Sequence, residues 1–284
     1  MKADCHIHML FDGVNWKSAI EGHRNGPDLP LIRKRLSRYA EMGFTYLRDG
    51  GDRWSVGAAA KKLAGEYGIN YRTPLANLCC AGHYGTFIGT KYENLKEYAD
   101  LVVQTRRDGG DFIKIMISGI MDFDCFGKLS EEGLPPEMIR ELIHIAHEEG
   151  FSVMAHANGA RTVEAAACAG VDSVEHGAYL DEDALLAMQE NGVIWCPTVS
   201  AVANLLGKGR FDDGQVQKIC ESTAENLRSF ASMSGLIAPG SDGGAWAVPH
   251  CQGGEDEHRH LKRILGAQAQ QILQQGTQAV MSKF

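Results

Sequence analysis

Residues 4–10 read DCHIHML, which places His6 and His8 one residue apart near the start of the chain. On an extended strand, side chains two apart share a face, so these imidazoles could grip one ion together. Alone, the pair fits ordinary polar residues on a short strand as well. Further metal-competent or titratable residues close other β-rich runs: Lys114 in DFIKIMIS, His156 in FSVMAH, His176 in VDSVEH and Asp242 in LIAPGSD.

What would bring six such residues together is the order of the elements that carry them. Eight β-rich runs alternate with helix-like runs: ADCHIHM (3–9), FTYLRD (44–49), YRTPLANLCC (71–80), DFIKIMIS (111–118), FSVMAH (151–156), VDSVEH (171–176), VIWCPTVS (193–200) and LIAPGSD (236–242). In PPEMIRELIHIAHEEG, Ile139, Leu142, Ile143 and Ala146 form a helical stripe with prolines at its start and Gly150 at its end. SVGAAAKKLAGEYG, YENLKEYADLVVQTRRDGG and DEDALLAMQENG end in glycine in the same way. Eight βα units predict a parallel sheet with crossover helices, and the length suits one closed (β/α)8 TIM barrel over residues 1–284. A doubly wound open sheet is the alternative, but no Gly-rich phosphate turn follows the first run. In such a barrel the chemistry sits at the C-terminal ends of the strands, where His6, His8, Lys114, His156, His176 and Asp242 fall.

Composition narrows the partners. The chain has 284 residues, 44% hydrophobic and 23% charged, with a formal net charge of −8. Basic residues form no run, which argues against nucleic acid and anionic membrane as partners. No apolar stretch nears the roughly 20 residues of a membrane span, and the charged N-terminus carries no apolar signal core. Cys5, Cys125, Cys168, Cys196, Cys220 and Cys251 are scattered, and Cys79 and Cys80 adjoin without a CxxC. Reduced thiols and a cytoplasmic location are the expectation.

DCHIHM, DFIKIMISG, VMAHANG, VDSVEHGAYL and APGSDGG, in that order, resemble the metal-binding signature of the amidohydrolase superfamily. GFTYLRDGGD and SDGGAWAVPH are similar to its imidazolonepropionase-like and prolidase-like branch, and the resemblance runs to about residue 250. It implies a first divalent cation on His6, His8 and Asp242, a second on His156 and His176, and Lys114 bridging both as its carbamate, formed with CO2. A cationic ammonium cannot ligate a metal, whereas a desolvated lysine beside cations loses its proton readily and can be carboxylated. Such ligands suit zinc, with iron, manganese or nickel also possible. The implied reaction is hydrolysis of a C–N bond in a small, polar molecule (a dipeptide, an N-acyl amino acid or a cyclic amide) by a metal-bridged hydroxide. Asp242 would be the general base.

The branch also contacts substrate through a glycine-histidine motif that CCAGHYG resembles, with Ala81 in place of a glycine. His83 is therefore expected to touch substrate, His250 by its place after the last strand, and Tyr84 and Trp246 as pocket walls. Arg48 is open to two readings, a substrate carboxylate or an internal pair with Asp49. Glu175, pointing away from His176 on a strand, is not counted as a ligand. Asn158 stands where carboxypeptidase-like relatives carry a tyrosine, which argues against a peptide-tail substrate. His258 and His260 read as solvated helix surface, His144 and His147 as a polar helix face, and His23 is open.

The branch's usual β-sandwich has no counterpart in this stretch, and the residues after Asp242 read as an amphipathic tail with Leu261, Ile264, Leu265, Ile272, Leu273, Ala279 and Val280 apolar. A barrel without its sandwich is expected to pair as a homo-oligomer. Competing functions on the same scaffold are a lactonase or a deaminase, the latter disfavoured by Gly159 and by the role it leaves Lys114 without. Outside catalysis, a metal- or small-molecule-binding barrel remains.

Overall fold

The computed structural model describes residues 2–284. Among them are ten strands: β1 (Lys2–Ile7), β2 (Phe44–Asp49), β3 (Asn70–Arg72), β4 (Asn77–Cys80), β5 (Thr90–Tyr92), β6 (Ile113–Met116), β7 (Val153–Ala157), β8 (Ser173–His176), β9 (Ile194–Cys196) and β10 (Leu236–Ile237). All ladder pairings are parallel, in two sheets ordered β1-β2-β3 and β10-β9-β8-β7-β6-β4-β5. This is an α/β fold with parallel sheets. Main-chain bonds link the two sheets, at the β1 and β10 edges and again beside β3 and β6. Cys5 N donates to Pro239 O, Asp242 N to His6 O and His8 N to Gly243 O, while Asp111 N donates to Thr73 O.

Strand period 2 explains which residues reach the interior. In β6, Ile113 and Ile115 join Ile139, Leu142 and Ile143 of the helix Pro136–Glu148 in the main core, so Lys114 and Met116 point the other way. The register carries this inward face across the sheet, pairing Lys114 with Asn77 of β4 and with Met154 of β7. A second cluster gathers Ala3, Cys5, Tyr46, Met154, Ile194 and Cys196, with Val280 and Phe284 of the last helix packed on it.

Several predicted strands are shorter or broken. The run 71–80 splits into β3 and β4 because Pro74 has no N–H for the ladder and Leu75 sits at φ +67°. The run 193–200 ends at Cys196. Pro197 follows, and Thr198, at φ +49°, opens the short helix Val199–Ala203. Only Leu236 and Ile237 of the last run make a strand, and β5 has no counterpart in the reading. The tail is two helices, Gln252–Leu265 and Ala269–Lys283, parted at Gly266. The second lies against β10 so closely that a Cβ on Gly276 would fall on the carbonyl of Ile237.

Candidate metal centre

His6 lies next to the end of β1, His156 near the end of β7, His176 at the end of β8, and Asp242 beyond β10. His6 Nε2 and His8 Nε2 stand 3.4 Å apart, and Asp242 Oδ1 lies 3.7 Å from the first and 3.5 Å from the second. Their donor atoms all fall within 4.8 Å of one another. Tetrahedral ligands about 2.0–2.1 Å from a zinc ion stand roughly 3.4 Å apart, so the three separations fit a shared cation. His6 and His176 approach to 5.2 Å between ring centroids, and His156 and His176 to 4.5 Å.

Three of the four imidazoles are aimed by a partner on their far nitrogen, whereas His8 Nδ1 is buried without one among the described residues. His6 Nδ1 donates to Glu175 Oε2 at 2.7 Å, which leaves Nε2 as the bare lone pair. His156 Nε2 donates to Gly119 O at 3.2 Å, and His176 Nδ1 lies 2.7 Å from Thr198 Oγ1. His176, Thr198 and Asp242 all have left-handed backbone, at φ +69°, +49° and +60°. Non-glycine residues adopt it at a cost of about 1–3 kcal/mol each, and such strain concentrates where a side chain must be re-aimed. Trp195 Nε1 holds the bend at His176 by donating to its carbonyl at 2.9 Å.

Burial tunes the group as donors rather than ions. It draws His8 and His156 down to about 3 and His6 and His176 well below the usual imidazole value, the Lys114 charge adding for all four. Burial likewise raises Asp242 to about 6 and lowers Lys114 to about 8. Lys114 thus acts electrostatically on every other member of the cluster, yet its Nζ has no hydrogen-bond partner among the described residues. A buried ammonium without a partner is costly, whereas a lysine converted to a carboxylate-like donor would complete the site. The donor set and this orphaned nitrogen both fit divalent cations.

A cavity of about 580 Å³ opens above the centre, with His8, His156, His176, Asp242, Tyr84 and Trp246 in its wall. Tyr84 stacks on the His156 ring, with centroids 4.9 Å apart. Aromatic walls flank both sides. Phe11, Trp16 and Phe87 pack together on one, and Phe123, Phe211 and Trp246 on the other, where Arg210 lies 4.6 Å over the Trp246 ring. This lining is more apolar than the small polar substrate expected above.

Two residues expected to touch substrate are not part of this wall. His250 is engaged at both ring nitrogens, with Tyr39 Oη at 3.1 Å and Phe11 O at 2.9 Å, and it does not line the cavity. His83 is 42% exposed beside Glu131, also off the wall. Arg48 pairs with Glu175 at 2.8 Å rather than with Asp49, and is fully buried, off the cavity wall. It also donates to Cys5 O and Ser173 Oγ, with Phe284 stacked on it at 4.4 Å. Asp49 instead accepts from Met9 N and Gly51 N. His258 is not simply solvated, since Nε2 donates to Ala3 O. His147 contacts Asp172, His23 accepts from Asp28 N, and Asn158 is buried among Gly119, Ala178 and Ser118.

Glu175 and Thr198 are the supporting residues that reading the chain missed. The alternation Ser173–Val174–Glu175 carried the signal for Glu175, because Val174 belongs to the outer core and Ser173 and Glu175 therefore face inward. A second donor group, His6 with Glu175 and Cys196, also converges. Its carboxylate is already shared among His6, Arg48 and Ser173, and burial holds the Cys196 thiol protonated, so we read it as support.

No protein-family model matches the chain. Ochratoxinase of Aspergillus niger is 26% identical over 273 residues, covering 84% of this chain and 56% of the relative. The chain therefore spans about half the length of the curated relatives it matches. Among solved structures, a Xaa-Pro dipeptidase with methionine in its active site aligns at a TM-score of 0.78 and 20% identity, over 99% of this chain and 75% of that one. A prolidase complexed with N-methylphosphonate-L-proline aligns at 0.79 and 22%, over 99% and 74%. The crystal structure of A. niger ochratoxinase aligns at 0.75 and 20%, over 99% and 69%. At these identities the structural likenesses speak to the fold. These neighbours, an amidohydrolase among them, share the α/β fold with parallel sheets.

Proposed function

We propose that this chain is a metal-dependent hydrolase that cleaves a C–N amide bond of a small molecule. The carrying observation is the convergence of His6 Nε2, His8 Nε2 and Asp242 Oδ1 at coordination-like separations on the floor of a cavity. The relatives support it, since ochratoxinase, prolidases and amidohydrolases indicate a hydrolase acting on C–N amide bonds. In this reading His6, His8 and Asp242 hold one divalent cation, most simply zinc, and His156 and His176 hold a second. No third His, Cys, Asp or Glu donor converges with that second pair among the described residues, which favours Lys114, as its carbamate, as the missing ligand.

When bound, divalent cations supply an acidified water and polarise a carbonyl oxygen. The chain's own groups do the rest. Asp242 is ionised at neutral pH with its pKa at about 6, so its carboxylate takes the proton of the attacking water and passes it to the leaving amine nitrogen. The aromatic walls accept apolar groups on both sides of the scissile amide and shield the site from bulk water, while Tyr84 braces the His156 ring. A closed (β/α)8 barrel over residues 1–284 belongs to the same proposal, supported by the main-chain bonds that link the two sheets on two sides. So does a cytoplasmic location, consistent with eight free cysteines and with no helix among the described residues long and apolar enough to cross a membrane.

Turnover of N-acyl amino acids, dipeptides and lactones with apolar side groups, with zinc and bicarbonate supplied, tests the proposal. Wild type is expected to cleave at least one amide, and Asp242→Asn to be slower by about 10²–10⁴-fold in kcat. Lactone cleavage without amide cleavage, or an unimpaired Asp242→Asn, would overturn it.

A further inference from the structure

Lys114 Nζ is not alone in lacking a partner. Both amide atoms of Asn77, Nδ2 and Oδ1, are buried and have no hydrogen-bond partner among the described residues. Asn77 is fully buried, yet it borders the cavity beside Met116 and Ile88. The ladder sets the two orphans side by side, because Asn77 and Lys114 are Cα partners on β4 and β6. Paired residues of a parallel ladder project to the same face, and here that face is the interior. Buried amides are hydrogen-bonded with few exceptions, so an amide bare at both ends calls for an explanation. Packing supplies none. Gly89 approaches so closely that a Cβ there would meet Oδ1, and a leucine of similar bulk would fill the same space without the desolvation cost.

We propose that Asn77 is a positioning residue for a carboxylated Lys114, its carboxamide pairing with the carbamate edge. The inference rests on the carbamate assigned above. Carboxylation adds the Nζ lone pair to the carbon of CO2. The N–C bond forms, one C=O π pair moves onto oxygen to give a carboxylate, and the proton leaves Nζ for solvent. The product carries an N–H and an oxygen along one edge. Asn77 presents the complement: Oδ1 accepts from the N–H and Nδ2 donates to the oxygen. Three atoms left bare by the amine are satisfied together by the carbamate, whose two oxygens keep further lone pairs for the cations that the histidines would hold.

Zinc-loaded protein equilibrated with ¹³C-bicarbonate reports this directly, through the ¹³C carbamate resonance that Lys114→Ala removes. Asn77→Leu should fold with an equal or higher thermal midpoint, because a bare buried amide is gone. It should also need about tenfold more bicarbonate for half-labelling, the worth of one charge-assisted hydrogen bond. Asn77→Ala, which cannot overpack, should show the same shift if the leucine variant fails to fold. Labelling of the folded variant at the wild-type bicarbonate concentration overturns the role of Asn77 and leaves the carbamate standing. Absence of any Lys114-dependent resonance in wild type overturns both.

Discussion

At the scale of single residues, the site is built from donors kept neutral by burial, with His6, His156 and His176 also aimed from behind. Burial leaves His8 and His156 uncharged down to about 3, so acidification first removes Asp242, whose pKa of about 6 lies above the usual carboxylate value. Above that value the carboxylate is ionised and can ligate, and below it the group is protonated and cannot. Zinc retention in equilibrium dialysis should therefore fall as pH drops through about 6, and Asp242→Asn should bind less zinc at neutral pH and lose that step. Retention unchanged between pH 7 and pH 5 would refute the assignment. The Arg48–Glu175–His6 chain makes a second claim. Glu175 is fully buried between a guanidinium and the nitrogen that fixes the His6 tautomer. Glu175→Ala leaves Arg48 uncompensated and should cost about 3–5 kcal/mol in urea unfolding. Glu175→Gln, which retains an acceptor for His6, should fold better while weakening zinc by about 10–100-fold. Zinc bound by Glu175→Gln as tightly as by wild type would reduce Glu175 to a structural ion pair.

At the scale of elements, strand ends do the positioning, and this was legible wherever a β-rich run was followed by a plain loop. FTYLRD matches β2 residue for residue, and the stripe Ile139, Leu142, Ile143 and Ala146 is the fully buried face of its helix. Legibility failed where backbone geometry overrode composition. Pro74 and Leu75 divide one apolar run into β3 and β4, and the left-handed turns at His176, Thr198 and Asp242 leave no trace in residue type. His250 shows the complementary limit. Placement after the last strand is a sound reason to expect a rim residue, but the partners that engage both its nitrogens, Tyr39 and the Phe11 carbonyl, come from distant stretches of chain. Long-range contacts of this kind have no local signature. The last helix makes an element-scale prediction through Gly276. Helix propensity alone favours alanine there by about 0.8–1.0 kcal/mol. Because a Cβ would meet the Ile237 carbonyl, Gly276→Ala should instead destabilise the fold by about 1–3 kcal/mol in denaturant unfolding. A stabilised variant would mean that the helix is free to shift away from β10.

At the scale of the whole molecule, the two sheets, the main-chain bonds between them and the plug of Ala3, Tyr46, Met154 and Phe284 form a support under a cavity whose aromatic walls come largely from loops. A fold shared with prolidases and ochratoxinase at 20–26% identity is a likeness of that support, and loops such as those in the wall are free to vary on it. A homo-oligomer remains the proposal for the exterior, and a monomeric mass in light scattering would remove it. The central claim is narrower: six side chains from five separate strand ends hold two cations, with Lys114 between them. Zinc content per chain, measured after reconstitution with bicarbonate and desalting, tests it most directly. The account predicts about two equivalents in wild type and a loss of at least about one in Lys114→Ala. Wild-type protein that holds no zinc, or Lys114→Ala that keeps the full complement, would contradict it.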